Sequence, residues 1–201
     1  VPEFEDVLNS YLNRDNVDLY VTGSNARFLS RDVITTFRGR GDEVRIYPLS
    51  FSEYHSAANR TKEEDWAEYM LYGGLPQTVF MESAEEKVTF LKAVFEDTYL
   101  KDIKERYAIN REEEFEILID IISSTVGSLT NPQKLANTFD SLRHSDLSAV
   151  TIKKYLEHMC DSFLVEKASR YDVRGRKYID TPYKYYFADP GLRNARLNFR
   201  Q

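Results

Sequence analysis

The sequence predicts a short α/β segment followed by a mostly α region that ends in three helices and a β-hairpin, the winged-helix arrangement. Three observations lead there. Two β-rich apolar runs, Leu19-Tyr20-Val21 and Val44-Arg45-Ile46-Tyr47, flank a helical pattern in which Phe28, Leu29, Val33 and Phe37 recur. Helical periodicity then continues from about residue 51 to residue 163, broken only by Gly and Pro. Beyond it come two β-rich stretches, 164–171 and 183–188, joined by a charged loop.

The composition fits a globular chain: 201 residues, 30% charged and 42% hydrophobic, with 14 Tyr and 12 Phe to supply core area. A single cysteine, Cys160, excludes an internal disulfide and makes a reducing cytoplasm the simplest compartment. His55, His144 and His158 share no ligand spacing, so no metal site is expected. No apolar run approaches the roughly 18 residues of a membrane span, and no signal-like segment opens the sequence. Net charge is −6 but uneven: residues 165–201 carry nine Lys and Arg against four Asp and Glu. That balance argues against general coating of nucleic acid and leaves a local basic patch.

In chain order, Phe4, Val7, Leu8 and Tyr11 fall on one helical face. Residues 18–22 read as a buried strand ending in a turn at Gly23. Ser24 and Asn25 follow at its carboxyl end, where open α/β sheets hold their ligands, and either also suits the N-cap of the next helix. Arg38 and Arg40 project from a Gly-broken loop before the strand of residues 44–47. Pro48 ends that strand, and Ser50 or Ser52 starts a helix through Ala58 with Phe51 and Tyr54 inward. Capping boxes at Thr61/Glu64 and Ser83/Glu86 open helices over about 62–71 and 84–107. Gly73, Gly74 and Pro76 force a corner between them. Mixed charges from Asp97 to Arg106 read as a solvated helix face. Three helices follow: one on Phe115, Leu118, Ile119, Ile122 and Val126, one opened by Asn131 and Pro132 with Leu135, Ala136, Phe139 and Leu142 inward, and one on Ile152, Tyr155, Leu156, Met159 and Phe163. On the third, Lys153 and Lys154 lie opposite the apolar stripe. With Arg174, Arg176 and Lys177 of the hairpin loop they form a candidate nucleic-acid surface for duplex DNA; winged helices serve equally as protein-interaction modules.

The ordered motifs TGSNA (22–26), FRGR (37–40), YPLSFSEY (47–54), YGGLP (72–76), YLKDIKER (99–106) and YYFADPGLRNA (185–195) carry a resemblance over nearly the whole chain. They resemble a prokaryotic AAA-type ATPase (AAA+ superfamily) of the family in which the ATPase core precedes a carboxyl-terminal domain of unknown function. The resemblance implies that residues 1–58 are the carboxyl-terminal part of a P-loop ATPase core, 59–110 a helical lid and connector, and 111–201 the winged-helix-like domain. The G-x-x-x-x-G-K-[ST] phosphate loop (Walker A) and the acidic Mg²⁺-holding strand (Walker B) do not occur in the 201 residues. The chain thus looks like the carboxyl-terminal portion of a longer protein that binds and hydrolyses ATP with Mg²⁺, inactive alone and needing no cofactor itself. In the intact ATPase Ser24 or Asn25 would orient the attacking water and Arg40 would stabilise phosphoryl-transfer charge; helix capping and a solvated loop arginine are the plain alternatives. The rival is a non-enzymatic winged-helix module that binds DNA or protein. In the family's sheet the strand feeding the phosphate loop lies between those of residues 18–22 and 44–47, so these two are expected to pair directly, stay poorly ordered, or, as favoured here, recruit a second copy through self-association.

Overall fold

The computed structural model describes residues 4–11, 14–23, 42, 44–58, 60–169 and 182–199. Its elements are α1 (Phe4–Tyr11), α2 (Phe51–Ala58), α3 (Lys62–Tyr72), α4 (Pro76–Phe80) and α5 (Ala84–Ala93). A π-helical segment (Val94–Leu100) and α6 (Lys101–Arg106) continue α5. Then come α7 (Glu112–Ser124), β1 (Leu129–Thr130), α8 (Pro132–Arg143), α9 (Ala149–Asp161), β2 (Val165–Ala168), β3 (Tyr183–Phe187) and α10 (Pro190–Arg196). The strands form one antiparallel sheet of order β1-β3-β2, with Leu129 opposite Lys184 and Val165 opposite Phe187.

Local chemistry sets most helix ends where the sequence places them. The Thr61/Glu64 box is fully formed, and Ser83 and Asn131 accept from the first backbone N–H groups of α5 and α8. Ser50 and Glu53 make a further reciprocal pair at the start of α2. Tyr54 is fully buried as expected, whereas Phe51 is half-buried, edge-on to Trp66 at 4.8 Å. Beneath α2 and α3 lies the buried Asp65 carboxylate, bonded to His55 Nδ1 at 2.5 Å and Arg60 Nε at 2.9 Å. Burial pushes that carboxyl up, but the two hydrogen bonds prevail and hold it below its ordinary value.

Three expectations are corrected. Among the described residues, 18–22 and 44–47 belong to no sheet, and Tyr20, Val44 and Ile46 are 89%, 80% and 92% exposed. Strand-like sequence makes no ladder without a neighbour, and two lone runs bury too little to order one. Second, the helix expected over 84–107 is not uniform. From Phe95, an α-helical path would swing Leu100 off the core; the wider π turn keeps Phe95, Leu100 and Ile103 buried together. Third, the helix carrying Met159 stops at Asp161. Phe163 instead takes a left-handed backbone (φ 56°) in a Schellman turn, donating to Cys160 O while Leu164 donates to Met159 O, both at 3.0 Å.

One continuous core runs from Tyr72 through Leu91, Phe115, Ile152 and Leu164 to Ala195, so helices on both sides of Arg111 share an interior. At its centre sits α10, which contacts α3, α5, the π segment and α7. Its N-cap, Asp189, is fully buried; Oδ2 accepts from Gly74 N at 2.6 Å and Oδ1 from Leu192 N at 2.9 Å. Gly74 in turn accepts from Leu49 N at 2.7 Å. Side chains are barred here: a Cβ on Gly74 would lie 2.2 Å from Leu49 O, and one on Gly191 would lie 2.1 Å from Tyr72 O. Farther along α10, Asn194 donates to Met70 O and Leu71 O, Arg193 to Ser123 O, and Arg196 to Asp120 Oδ1.

Removing the Asp189 carboxylate strands buried N–H donors, each costing about 1–3 kcal/mol. Asp189→Ala should therefore lower stability by about 3 kcal/mol in urea unfolding, whereas Asp102→Ala, which breaks an ion pair on the helix surface, should cost under about 1 kcal/mol.

Candidate functional site

The residues that end the two amino-terminal segments converge on a cavity of about 310 Å³. Val21, Thr22 and Gly23 form one wall, and Val44 to Pro48 form another. The π segment and α6 close a third side with Thr98, Tyr99 and Asp102, and the turn after α9 adds Ser162 and Phe163. Tyr47 and Phe163 meet edge to face at 6.4 Å, so the amino-terminal segment touches the turn after α9 directly. Burial first, then the Asp189 charge, pushes the Tyr99 phenol up from its ordinary value, which keeps its proton in place. Ser162 is 4% exposed, and its Oγ has no hydrogen-bond partner among the described residues. Asp102 Oδ1 is held by Arg106 at 2.7 Å.

A second cavity of about 300 Å³ lies beside it, lined in part by Arg45, Glu157, Cys160, Glu166 and Tyr185. Burial, then the Glu166 charge, pushes the Cys160 thiol up to about 12, the state of an inert structural cysteine. Among the described residues no group of His, Cys, Asp and Glu could hold a metal ion, and no helix is long and apolar enough to cross a membrane.

Of the residues singled out from sequence, Ser24, Asn25 and Arg40 lie outside the described residues, as do Arg174, Arg176 and Lys177. Gly23, directly before Ser24, is in the cavity wall. Lys153 and Lys154 are both exposed on α9, opposite the buried Ile152, Tyr155, Leu156 and Met159. Sequence reasoning missed Thr98, Tyr99, Ser162 and Phe163. Their convergence depends on a π turn and a left-handed turn, neither of which has a periodic signature.

The geometry defines a helical domain whose interior is pinned by its last helix and whose surface receives an amino-terminal segment of different character. Comparison with known proteins gives two matches along the chain. Residues 63–201 match a domain of unknown function, DUF8612, and the chain belongs to that family. Residues 1–55 match an AAA domain. The chain is 37% identical over 198 residues to an uncharacterized protein of Haemophilus influenzae, covering 96% of this chain and 49% of that protein. It is 23% identical over 200 residues to the uncharacterized protein MJ1544 of Methanocaldococcus jannaschii, covering 94% and 44%. The chain therefore spans about half the length of these curated relatives. No solved structure matches it.

The environment of Cys160 gives a direct check. At pH 8 the folded chain should react with a thiol-specific disulfide reagent at least about 100-fold more slowly than free cysteine, and unfolding in urea should restore the ordinary rate.

Proposed function

We propose that residues 1–58 are the carboxyl-terminal part of an AAA-type ATPase core, and that the protein containing this chain binds and hydrolyses ATP with Mg²⁺. The observation that carries this reading is the AAA match over residues 1–55, on the stretch that holds TGSNA and FRGR. Matched relatives about twice as long supply room for a phosphate loop and an acidic metal-binding strand. Residues 21–23 and 44–48 also stand on two walls of one cavity while belonging to no sheet, the arrangement expected if their strand neighbour lies elsewhere in the protein. In this reading Ser24 or Asn25 orients the attacking water, and the Arg40 guanidinium stabilises charge on the transferred phosphoryl group.

The 201-residue chain should show no ATPase activity and no micromolar affinity for ATP in a calorimetric titration, since it supplies few phosphate donors. The longer protein should hydrolyse ATP, with Asn25→Ala or Arg40→Ala lowering kcat about 10-fold or more. Tight ATP binding by the 201 residues, or no hydrolysis by the longer protein, overturns the reading.

A second reading is favoured by topology. The order α7-β1-α8-α9-β2-β3, with the sheet ordered β1-β3-β2, supports a winged-helix reading, in which Lys153 and Lys154 are exposed on the helix that would enter a groove. A non-enzymatic DNA- or protein-binding module is the corresponding function. If it binds duplex DNA, affinity should fall steeply with salt. Replacing Lys153 and Lys154 by Ala should then reduce the slope of log K against log salt by about 2, with a further flattening on removal of Arg174, Arg176 and Lys177. No binding at low salt, read by fluorescence anisotropy, leaves the protein-interaction form of this reading.

A further inference from the structure

The second cavity, of about 300 Å³, lies against α9 and the sheet, and the charges around it do not cancel. Its walls carry three carboxylates, Glu157, Asp161 and Glu166, against two cations, Arg45 and Lys167. The Lys167 ammonium stands 3.7 Å from the centroid of the Tyr183 ring, which is not part of the wall, while Arg45 and Asp161 each have a partner of their own. The carboxylates of Glu157, half-buried, and Glu166, exposed, have none among the described residues.

Unpaired carboxylates alone describe a solvated surface, and Tyr185 adds a separate observation. It is 6% exposed and lines the same cavity, and its hydroxyl has no hydrogen-bond partner among the described residues. A buried tyrosine ordinarily finds a partner for that hydroxyl. Burial first, then the charges of Cys160, Tyr183 and Glu157, pushes the phenol up from its ordinary value, so it stays neutral, and two of those three neighbours share the cavity wall with it.

We propose that this cavity binds the ammonium end of a small alkylamine, with the Glu157 carboxylate and the Tyr185 hydroxyl accepting from the ammonium and the Phe163 ring and Cys160 thiol against the alkyl stem. The inference stands apart from both readings of function above. An ammonium carries three donors, and a carboxylate and a neutral phenol oxygen accept two of them, leaving one for water. The surplus of one negative charge, with Arg45 and Lys167 counted, disfavours an anion in the same space. A compact divalent ion lacks ligands, because no group of His, Cys, Asp and Glu among the described residues could hold one. An organic cation needs only two acceptors and an apolar wall, and the volume suffices for a short chain.

The test uses the 201-residue chain, isotope-labelled for NMR, titrated at pH 7 with n-butylamine and, separately, with n-butanol and butyrate. Butylamine should shift the amide signals of Glu157, Cys160, Phe163 and Tyr185 with roughly millimolar affinity, and the uncharged and anionic analogues should not. Glu157→Gln should weaken butylamine binding about 10-fold and leave Tm unchanged or higher, because the carboxylate has no partner to lose. Tyr185→Phe keeps the ring in the core, should weaken binding about 3-fold, and carries the test if the first variant folds poorly. Two further probes separate the sources of an ammonium: tighter binding of 1,4-diaminobutane than of Nα-acetyl-lysine amide assigns the site to a free diamine, and the reverse order assigns it to a lysine side chain. No shifts, shifts confined to other residues, butanol binding as tightly as butylamine, or a folded variant of either kind binding as the parent does overturns the proposal.

Discussion

The Asp189 carboxylate is the constraint on which the rest of the structure depends. It caps α10 through Leu192 N and, 115 residues away in sequence, holds the peptide of Gly74. Burial pushes this carboxyl up from its ordinary value, against N–H donors from Gly74, Leu192 and Gly191 that pull it down. Such a group is tolerated because the donors are fixed backbone and the glycines let that backbone come close. Gly74 accepts from Leu49 on its other side, so the end of the AAA-like segment, the corner after α3 and the last helix are joined by a short series of hydrogen bonds.

Much of the helical fold is legible in the sequence, because capping chemistry and 3.6-residue periodicity are local. Thr61, Ser83 and Asn131 begin helices where their side chains can satisfy backbone donors, and Phe115, Leu118, Ile119 and Ile122 are buried as their spacing requires, whereas Val126 and Leu142, expected inward at the ends of their helices, are 37% and 75% exposed. The missing pieces are those decided by distant partners. β1 is two residues long and exists only because β3 lies beside it. Helix α10 is short, opens with Pro190 and Gly191, and owes its place to contacts with α3, α5, the π segment, α7 and β3. The strands expected at residues 18–22 and 44–47 show the converse failure, since apolar alternation states what a strand would bury but not whether a neighbour is present.

The candidate site was readable only at its edges. Thr22 and Gly23 of the TGSNA motif mark one side, while Thr98, Tyr99, Ser162 and Phe163 are brought there by backbone geometry rather than by motif. The π turn in the middle of a long helix reconciles two demands: it keeps Leu100 and Ile103 in the core and brings Thr98 and Tyr99 to the cavity. An uninterrupted α-helix would meet one of these at the expense of the other. The same helix thus packs into the core on one face and lines the cavity with another.

The position of α10 in the chain also bears on how the protein is made. Tyr72, Leu91 and Phe95 are synthesised early, yet the helix packed against α3 and α5 follows Asp189. At a translation rate of about 5–20 residues per second, on the order of ten seconds separates Gly74 from Asp189. During that interval the apolar faces of α3 and α5 stand uncovered on the ribosome, and the nascent chain is a natural client for holding chaperones. A nonsense codon at position 189 would leave nearly all of the helices intact in sequence while removing the piece that closes them, so its product would aggregate rather than persist as a shortened domain.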